Sequence, residues 1–201
     1  MTDPTSGRLD GLRGHFGCEA TSGASFSRES PITTQNEMNI RGATLEDLDA
    51  VMALVRSCTR HMDEQGIHQW DEIYPDEGTI QKDILKQHLH LVERNGDILG
   101  IIVLNDEQPP QYQSVNWQFS GKALVIHRLA IRPTHQGHGL ARKLMEYVRS
   151  YAEAGDYNTI RLDAFVHNRS AVGLYEHLGY RQAGTVSFRK GPFFCLERPV
   201  N

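Results

Sequence analysis

The chain has few cysteines, no long apolar run and no large excess of charge of either sign, and each lack removes a class of protein. Three cysteines among 201 residues, Cys18, Cys58 and Cys195, are an odd number without metal-ligand spacing. They exclude a dense disulfide framework and lead us to expect reduced thiols in a cytoplasmic setting. The longest apolar run, Ile98-Leu99-Gly100-Ile101-Ile102-Val103-Leu104, falls far short of the roughly 20 residues that cross a bilayer, so no membrane span is expected. A net charge of -4 provides no general attraction to nucleic acid or anionic lipid. The first residues also lack the basic-then-apolar pattern of a secretory signal. What is present, 39% hydrophobic and 23% charged residues, is the composition of a globular domain, and the length suits one domain plus a tail.

Residues 1–37 are rich in Gly, Ser and Thr and show no sustained apolar period, so they are expected to form a disordered tail ahead of a single domain, 38–201. Met38 to Arg41 reads as a short edge strand. Thr44, with Asp47 three residues on, reads as the cap of a helix running to about Met62, with Leu45, Leu48, Val51, Met52 and Val55 on one face. Thr79 is expected to cap a second helix that buries Ile80, Ile84 and Leu85. Strands follow at Leu89–Glu93 and Ile98–Leu104, and the Asn95-Gly96 pair between them is a hairpin signal. Residues 105–121 form a long polar connection of the functional or mobile kind. A strand Ala123–Ile131, a helix from Leu140 to about Tyr151, a strand Thr159–Val166, a helix Ser170–Leu178 and two strands, Tyr180–Phe188 and Phe193–Glu197, complete the order. Such a sequence of elements gives an α+β domain with a mixed sheet. His61, Asp63, Glu64 and His68 match no standard ligand spacing, so no metal is expected.

One stretch organises the rest: His135-Gln136-Gly137-His138-Gly139-Leu140-Ala141. It joins a buried strand to an amphipathic helix. A glycine turn there leaves backbone N–H groups unpaired at the positive end of the helix dipole, which suits phosphate oxygens. Further along, the aromatics Trp70 and Tyr74 stand among polar residues in a connecting segment. They can wall a binding pocket or pin the loop to the core.

Two motifs together resemble the GNAT superfamily of acetyl-CoA-dependent N-acetyltransferases, over roughly residues 38–198. The first is Gln136-Gly137-His138-Gly139-Leu140-Ala141. The second is Asn168-Arg169-Ser170-Ala171-Val172-Gly173-Leu174-Tyr175-Glu176-His177-Leu178-Gly179-Tyr180. The resemblance implies the GNAT fold, a mixed central sheet of about seven strands flanked by about four helices. It implies that the backbone amides of Gln136, Gly137, His138, Gly139, Leu140 and Ala141 bind the pyrophosphate of acetyl-CoA. Leu129 and Ile131, on a strand that splays from its neighbour, would bind the pantetheine arm. Arg132, Arg142 and Lys143 either approach the phosphates or belong to the solvated surface. Asn168 either caps its helix or meets the CoA arm.

Chemistry then falls to few side chains. The departing thiolate needs a proton, and Tyr175, at the family's tyrosine position, is the donor the resemblance implies; the alternative is a packed helix aromatic. Many family members carry a glutamate before the loop, where this chain has His127. A histidine titrating near neutrality can serve as the base, or it can make a structural hydrogen bond. Asp71 and Glu72 are further candidates for holding a cationic amine. The acceptor pocket is expected among Trp70, Tyr74, His127 and the turn from Lys190 to Phe193. The function implied is acetyl transfer from acetyl-CoA to a primary amine of a small molecule, by direct attack in a ternary complex and without a metal. A homodimer is compatible with this reading. Two other readings stand beside it: a protein lysine or N-terminal acetyltransferase, and a non-catalytic acyl-CoA-binding module.

Overall fold

The computed structural model describes residues 38–200, so the expected N-terminal tail lies outside the described residues. The elements follow the order β1 (Asn39–Gly42), α1 (Leu48–Glu64), α2 (Glu77–Leu85), β2 (Leu89–Arg94), β3 (Asp97–Asn105), β4 (Ala123–Ile131), α3 (Leu140–Ala154), β5 (Thr159–Phe165), α4 (Arg169–His177), β6 (Arg181–Phe188) and β7 (Gly191–Pro199). Seven strands form one sheet in the order β1-β2-β3-β4-β5-β7-β6. Asn95 (φ 56°) and Gly96 (φ 84°) both occupy the left-handed region, as a tight two-residue hairpin turn requires. They set the Arg94–Asp97 register that starts the β2–β3 pair.

Side chains of β3 divide the core between its faces with the period of two that a strand imposes. Ile101 and Val103 pack with Val51, Leu54 and Val55 of α1 and with Ile80 and Ile84 of α2. Ile102 and Leu104 pack with Leu140, Leu144 and Val148 of α3. The sheet is thus covered on both faces, by α1 and α2 on one and α3 and α4 on the other.

Both N-terminal helices differ from the expectation at their ends. Leu45 lies in a 3-10 turn, Leu45–Asp47, that precedes α1, and it is 48% exposed. Thr44 does meet Asp47, whose Oδ2 accepts from the Thr44 N–H at 2.8 Å. In α2 the cap is Asp76, which accepts from the Thr79 N–H at 2.9 Å. The helix therefore starts at Glu77, ahead of Thr79, and its last residue, Leu85, is 63% exposed. Asp83 is buried in its stead.

The long connection 105–121 is docked rather than loose. Tyr112 and Val115 pack with Val125, Val186 and Cys195. Arg161 of β5 donates to Gln108 Oε1 and to the Phe119 carbonyl, each at 2.8 Å, and stacks over the Trp117 ring.

The sheet opens at one place. β4 and β5 form the parallel pair, and their pairing runs only from Ala123–Thr159 to Ile126–Leu162. Beyond it β4 stays with β3, while Asp163, Ala164 and Phe165 of β5 pair with Cys195, Phe194 and Phe193 of β7. β4 also bulges there. His127 pairs with Val103 and Ala130 with Ile101, so Arg128 and Leu129 share the single residue Ile102 opposite them. Arg128 takes φ 39° at the bulge, a conformation that costs a side-chain-bearing residue about 1–2 kcal/mol.

Candidate active site

The glycine loop faces the opened edge. Gly137 (φ 78°) and Gly139 (φ 80°) are both left-handed, and Gly139 is the cap of α3. A Cβ at either would meet nothing within 4 Å, so glycine is required by the dihedral and not by crowding. The N–H groups of Gly137, His138, Gly139, Leu140 and Ala141 have no acceptor among the described residues. The His138 ring turns back onto the Gln136 carbonyl, at 2.8 Å. This is a concave row of donors at a helix N-terminus, the geometry that receives phosphate oxygens.

Gln136 couples the loop to the strand before it, because its Nε2 donates to the Ile131 carbonyl at 3.0 Å. The Arg132 N–H bonds β3, at the Leu99 carbonyl. Strand alternation therefore turns the backbone groups of Ile131 and Leu129 toward the gap. The Ile131 carbonyl is also met by the Cys58 thiol at 3.3 Å, which leaves its N–H for a ligand. Arg132 is committed to β3, where its Nε donates to the Ile98 carbonyl at 2.9 Å. Arg142 borders the cavity.

A cavity of about 830 Å³ runs from this loop through the opening between β4 and β5. Tyr175 lies in its wall. It shares a buried face of α4 with Val172, one turn away, and its ring meets Tyr180 edge-on at 5.9 Å. The hydroxyl has no hydrogen-bond partner among the described residues. Burial, with Asp163 adding to it, pushes the phenol well above its ordinary range, so Tyr175 keeps its proton at neutral pH.

Asp163 was not singled out by the sequence, and it changes the chemistry available. Alternation along β5 turns Ile160, Leu162 and Ala164 to the α3–α4 core and the Asp163 carboxyl to the cavity. Burial raises its pKa from 3.8 to about 6, although the Tyr112 hydroxyl, donating to Oδ2 at 2.9 Å, and Arg128 work against the shift. A carboxyl group alternating with the apolar Leu162 and Ala164 on a buried strand was the available signal.

His127 borders the same cavity, and of its two readings the structural hydrogen bond matches its surroundings while the base titrating near neutrality does not. Burial, followed by the nearby Arg128, lowers its pKa to about 4. The ring is therefore neutral at pH 7 and does not titrate near neutrality. The Asn105 Oδ1 accepts from the Glu107 N–H at 2.9 Å, which fixes the amide orientation, so His127 Nε2–H donates to that oxygen at 2.9 Å. Its Nδ1 is left as an acceptor.

Residues 65–76 strap over the other end of the cavity. Trp70 anchors the strap, 7% exposed and packed with the α1–α2 core, while Tyr74 is 37% exposed. Three polar tethers hold the strap to three elements. Asn168, which caps α4 by accepting from the Ala171 N–H, donates from Nδ2 to Gln69 Oε1 at 3.0 Å. Arg128 donates to the Tyr74 hydroxyl at 2.6 Å and also meets Asp83 at 2.6 Å. Asp71 takes both Arg189 Nη groups, at 2.7 and 2.8 Å, and Lys190 Nζ at 2.7 Å. Asp71 is thus neutralised by the β6–β7 turn, and Glu72 is exposed and does not border the cavity. Trp70, Tyr74, His127, Lys190 and Phe193 do border one cavity.

Burial pushes the Cys58 thiol to about 11 and the Cys195 thiol to about 12, so neither is a thiolate nucleophile near neutrality. Among the described residues no three His, Cys, Asp or Glu side chains gather as a metal site, and the His68 ring meets Asp63 instead. No helix among them is long and apolar enough to cross a membrane.

The profile of the acetyltransferase (GNAT) family matches residues 49–180. The uncharacterized N-acetyltransferase YesJ of Bacillus subtilis is 21% identical over 71% of this chain and 81% of its own length. Mouse N-acetyltransferase 8F1 is 27% identical over 53% of this chain, and the match spans about half, 48%, of that protein. An acetyltransferase of the GNAT family from Streptococcus agalactiae superposes with a TM-score of 0.72 at 23% identity, covering 81% of this chain and 95% of that one. The PaiA N-acetyltransferase of Thermoplasma acidophilum, solved in complex with coenzyme A, superposes with a TM-score of 0.63 at 14% identity, over 81% and 99% of the two chains. With the profile spanning most of the chain and the splayed sheet behind it, the protein belongs to the GNAT family of acetyltransferases.

Proposed function

We propose that the protein moves the acetyl group of acetyl-CoA to a primary amine of a small molecule, by direct attack in a ternary complex. The observation that carries this reading is the strap of residues 65–76, tethered to α4, to the β4 bulge and to the β6–β7 turn. A cavity so covered suits a small acceptor and obstructs an extended peptide. The coenzyme A held by the Thermoplasma N-acetyltransferase supports the choice of cofactor. The residues fit that cofactor. The free N–H row from Gly137 to Ala141 suits its pyrophosphate, and the gap-facing backbone of Leu129 and Ile131 suits the amides of its arm. Asn168 has both ends of its amide engaged, so it bounds the arm's path by holding the strap. Acetyl-CoA supplies an activated thioester.

In the reaction the neutral amine nitrogen bonds the acetyl carbon, the C–S bond breaks with its electron pair leaving on sulfur as the CoA thiolate, and the nitrogen gives up one proton. Asp163, titrating near 6, is ionised at pH 7 and takes the amine proton. His127 Nδ1 accepts a hydrogen bond that orients the nitrogen. Tyr175 holds its proton too firmly to release it fully to a thiol of ordinary pKa, about 8.5. Its hydroxyl instead donates a hydrogen bond to the sulfur as charge builds there. The two buried thiols suit a reducing compartment such as the cytoplasm.

The test is acetyl transfer from acetyl-CoA, followed by mass detection of products, across a panel of small primary amines alongside lysine-bearing and free N-terminal peptides. Acetylated small amines with unmodified peptides are expected. Modified peptides with untouched small amines would overturn the small-molecule assignment.

A further inference from the structure

The charges around the cavity are unevenly distributed. Among the residues that border it, Asp163 is the one carboxylate, whereas Arg128, Arg189 and Lys190 are cations of its acceptor end. Arg128 is paired with Asp83 and donates to the Tyr74 hydroxyl, while its Nε has no partner among the described residues. Arg189 and Lys190 share a single carboxylate, Asp71, which stands outside the cavity wall and also accepts the N–H groups of Ile73 and Tyr74. Two positive charges against one negative leave an excess of one, and two of the three Lys190 ammonium protons have no acceptor among the described residues. Asp71 therefore acts from behind as a clamp that fixes the two cations beside the cavity.

Between the two charged ends lies an aromatic wall. Phe165 meets Phe193 at 5.1 Å, and Phe193 meets Phe188 at 5.2 Å. The sheet register gives the spacing: Asp163 pairs with Cys195, and Lys190 lies five residues earlier, in the turn just before β7. At roughly 3.3 Å per residue that is about 16 Å of strand, which long side chains reaching back only partly close. An anion held by Lys190 and an amine held by Asp163 cannot sit on the same carbon.

We infer that the acceptor is an elongated amine with an apolar or aromatic middle and an oxyanion, carboxylate or phosphate, at its far end, received by Lys190 and Arg189. This rests on the transfer reading above. The amine end is selected by the carboxylate, the middle by the aromatic wall, and the far end by charge-assisted hydrogen bonds.

The test is calorimetric binding to the CoA-saturated protein of three matched amines: phenethylamine, 4-(2-aminoethyl)benzoate and O-phosphotyramine. Acetyl transfer to each is followed in parallel. At least one of the two anionic amines is expected to bind about tenfold more tightly than phenethylamine, and the tighter of the two identifies the oxyanion. The gap should shrink in Lys190→Gln and in the Arg189→Gln, Lys190→Gln double variant, return in Lys190→Arg, and narrow in high salt. Equal affinities, or a gap that survives the double variant, would overturn the inference. A gap in binding with no acetyl moved would instead remove the transfer reading and leave the anion site standing.

Discussion

The glycine loop and the strap border the same cavity and treat their polar groups in opposite ways. From Gly137 to Ala141 the loop leaves its N–H groups free, and its shape comes from two left-handed glycines within three residues. The strap is held at three points by partners far away in sequence, Asn168, Arg128, and the Arg189–Lys190 pair. The proposed phosphate site is thus encoded locally and remains open. The acceptor end is encoded by long-range pairs and is closed by them. Each can be altered without disturbing the other, and the comparison can be broken by showing that they are not separable.

The largest effects should arise where the two regions meet, at Tyr175 and Asp163. Tyr175→Phe is expected to lower kcat by about 100-fold while CoA affinity stays within twofold; an unchanged kcat would remove the hydroxyl from the reaction. Asp163→Asn should lower kcat by a similar factor and abolish the acidic limb of the rate profile, which the wild type should show near pH 6, the pKa to which burial raises this carboxyl. His127→Gln should leave that limb in place, since the His127 ring is already neutral above about 4. The same shift has a sign for stability. A carboxyl group raised from 3.8 to about 6 favours the fold below pH 4, and that favour is lost as pH rises through 6. Asp163→Asn should therefore be more stable than wild type by about 3 kcal/mol at pH 8 and close to it at pH 4. Thermal melts at the two pH values check this.

Next in size is the loop. Gly139→Val forces a β-branched residue to φ 80° in open space, at a strain of about 1–2 kcal/mol. CoA affinity, measured by calorimetry, should fall about tenfold, with acceptor KM unchanged at saturating acetyl-CoA. A tenfold rise in acceptor KM instead would mean that loop and strap act as one unit.

How much of this was legible in the sequence follows from the same contrast. Features set by neighbouring residues could be read directly. The Asn95-Gly96 turn, the strand Ala123–Ile131, the glycine loop and the element order all depend on period, dihedral preference or local capping. The helix ends were read less well, because Thr44 and Thr79 both look like caps while Asp76 wins the second position and a 3-10 turn intervenes at the first. Asp163 escaped notice because its importance comes from the divergence of β4 and β5, a tertiary fact. Burial likewise turned His127 from an expected titrating base into a neutral acceptor. Asp71 read as a free carboxylate for an amine, since nothing local announces partners 118 residues away.

The smallest effect is the sharpest test of the strap. Asp71→Asn removes the charge that clamps Arg189 and Lys190 but keeps an acceptor for the N–H groups of Ile73 and Tyr74. Acceptor KM should rise about threefold to tenfold, with kcat and CoA affinity unchanged. Arg189 and Lys190 hold the Asp71 carboxyl well below the usual carboxylate range, so the clamp is intact above the ordinary carboxylate pKa of about 3.9 and is lost only as pH falls below it. No change in its state is then available between pH 5 and 9, and any pH dependence of the wild-type rate in that window must come from elsewhere, with Asp163 the expected source. Salt reaches the clamp where pH does not, because its charges are only partly buried and are screened. For an acceptor with no anionic end, such as phenethylamine, raising ionic strength should bring the KM of the wild type toward that of Asp71→Asn and move the variant little. If the variant responds to salt as strongly as the wild type, the clamp is not what holds the acceptor end closed.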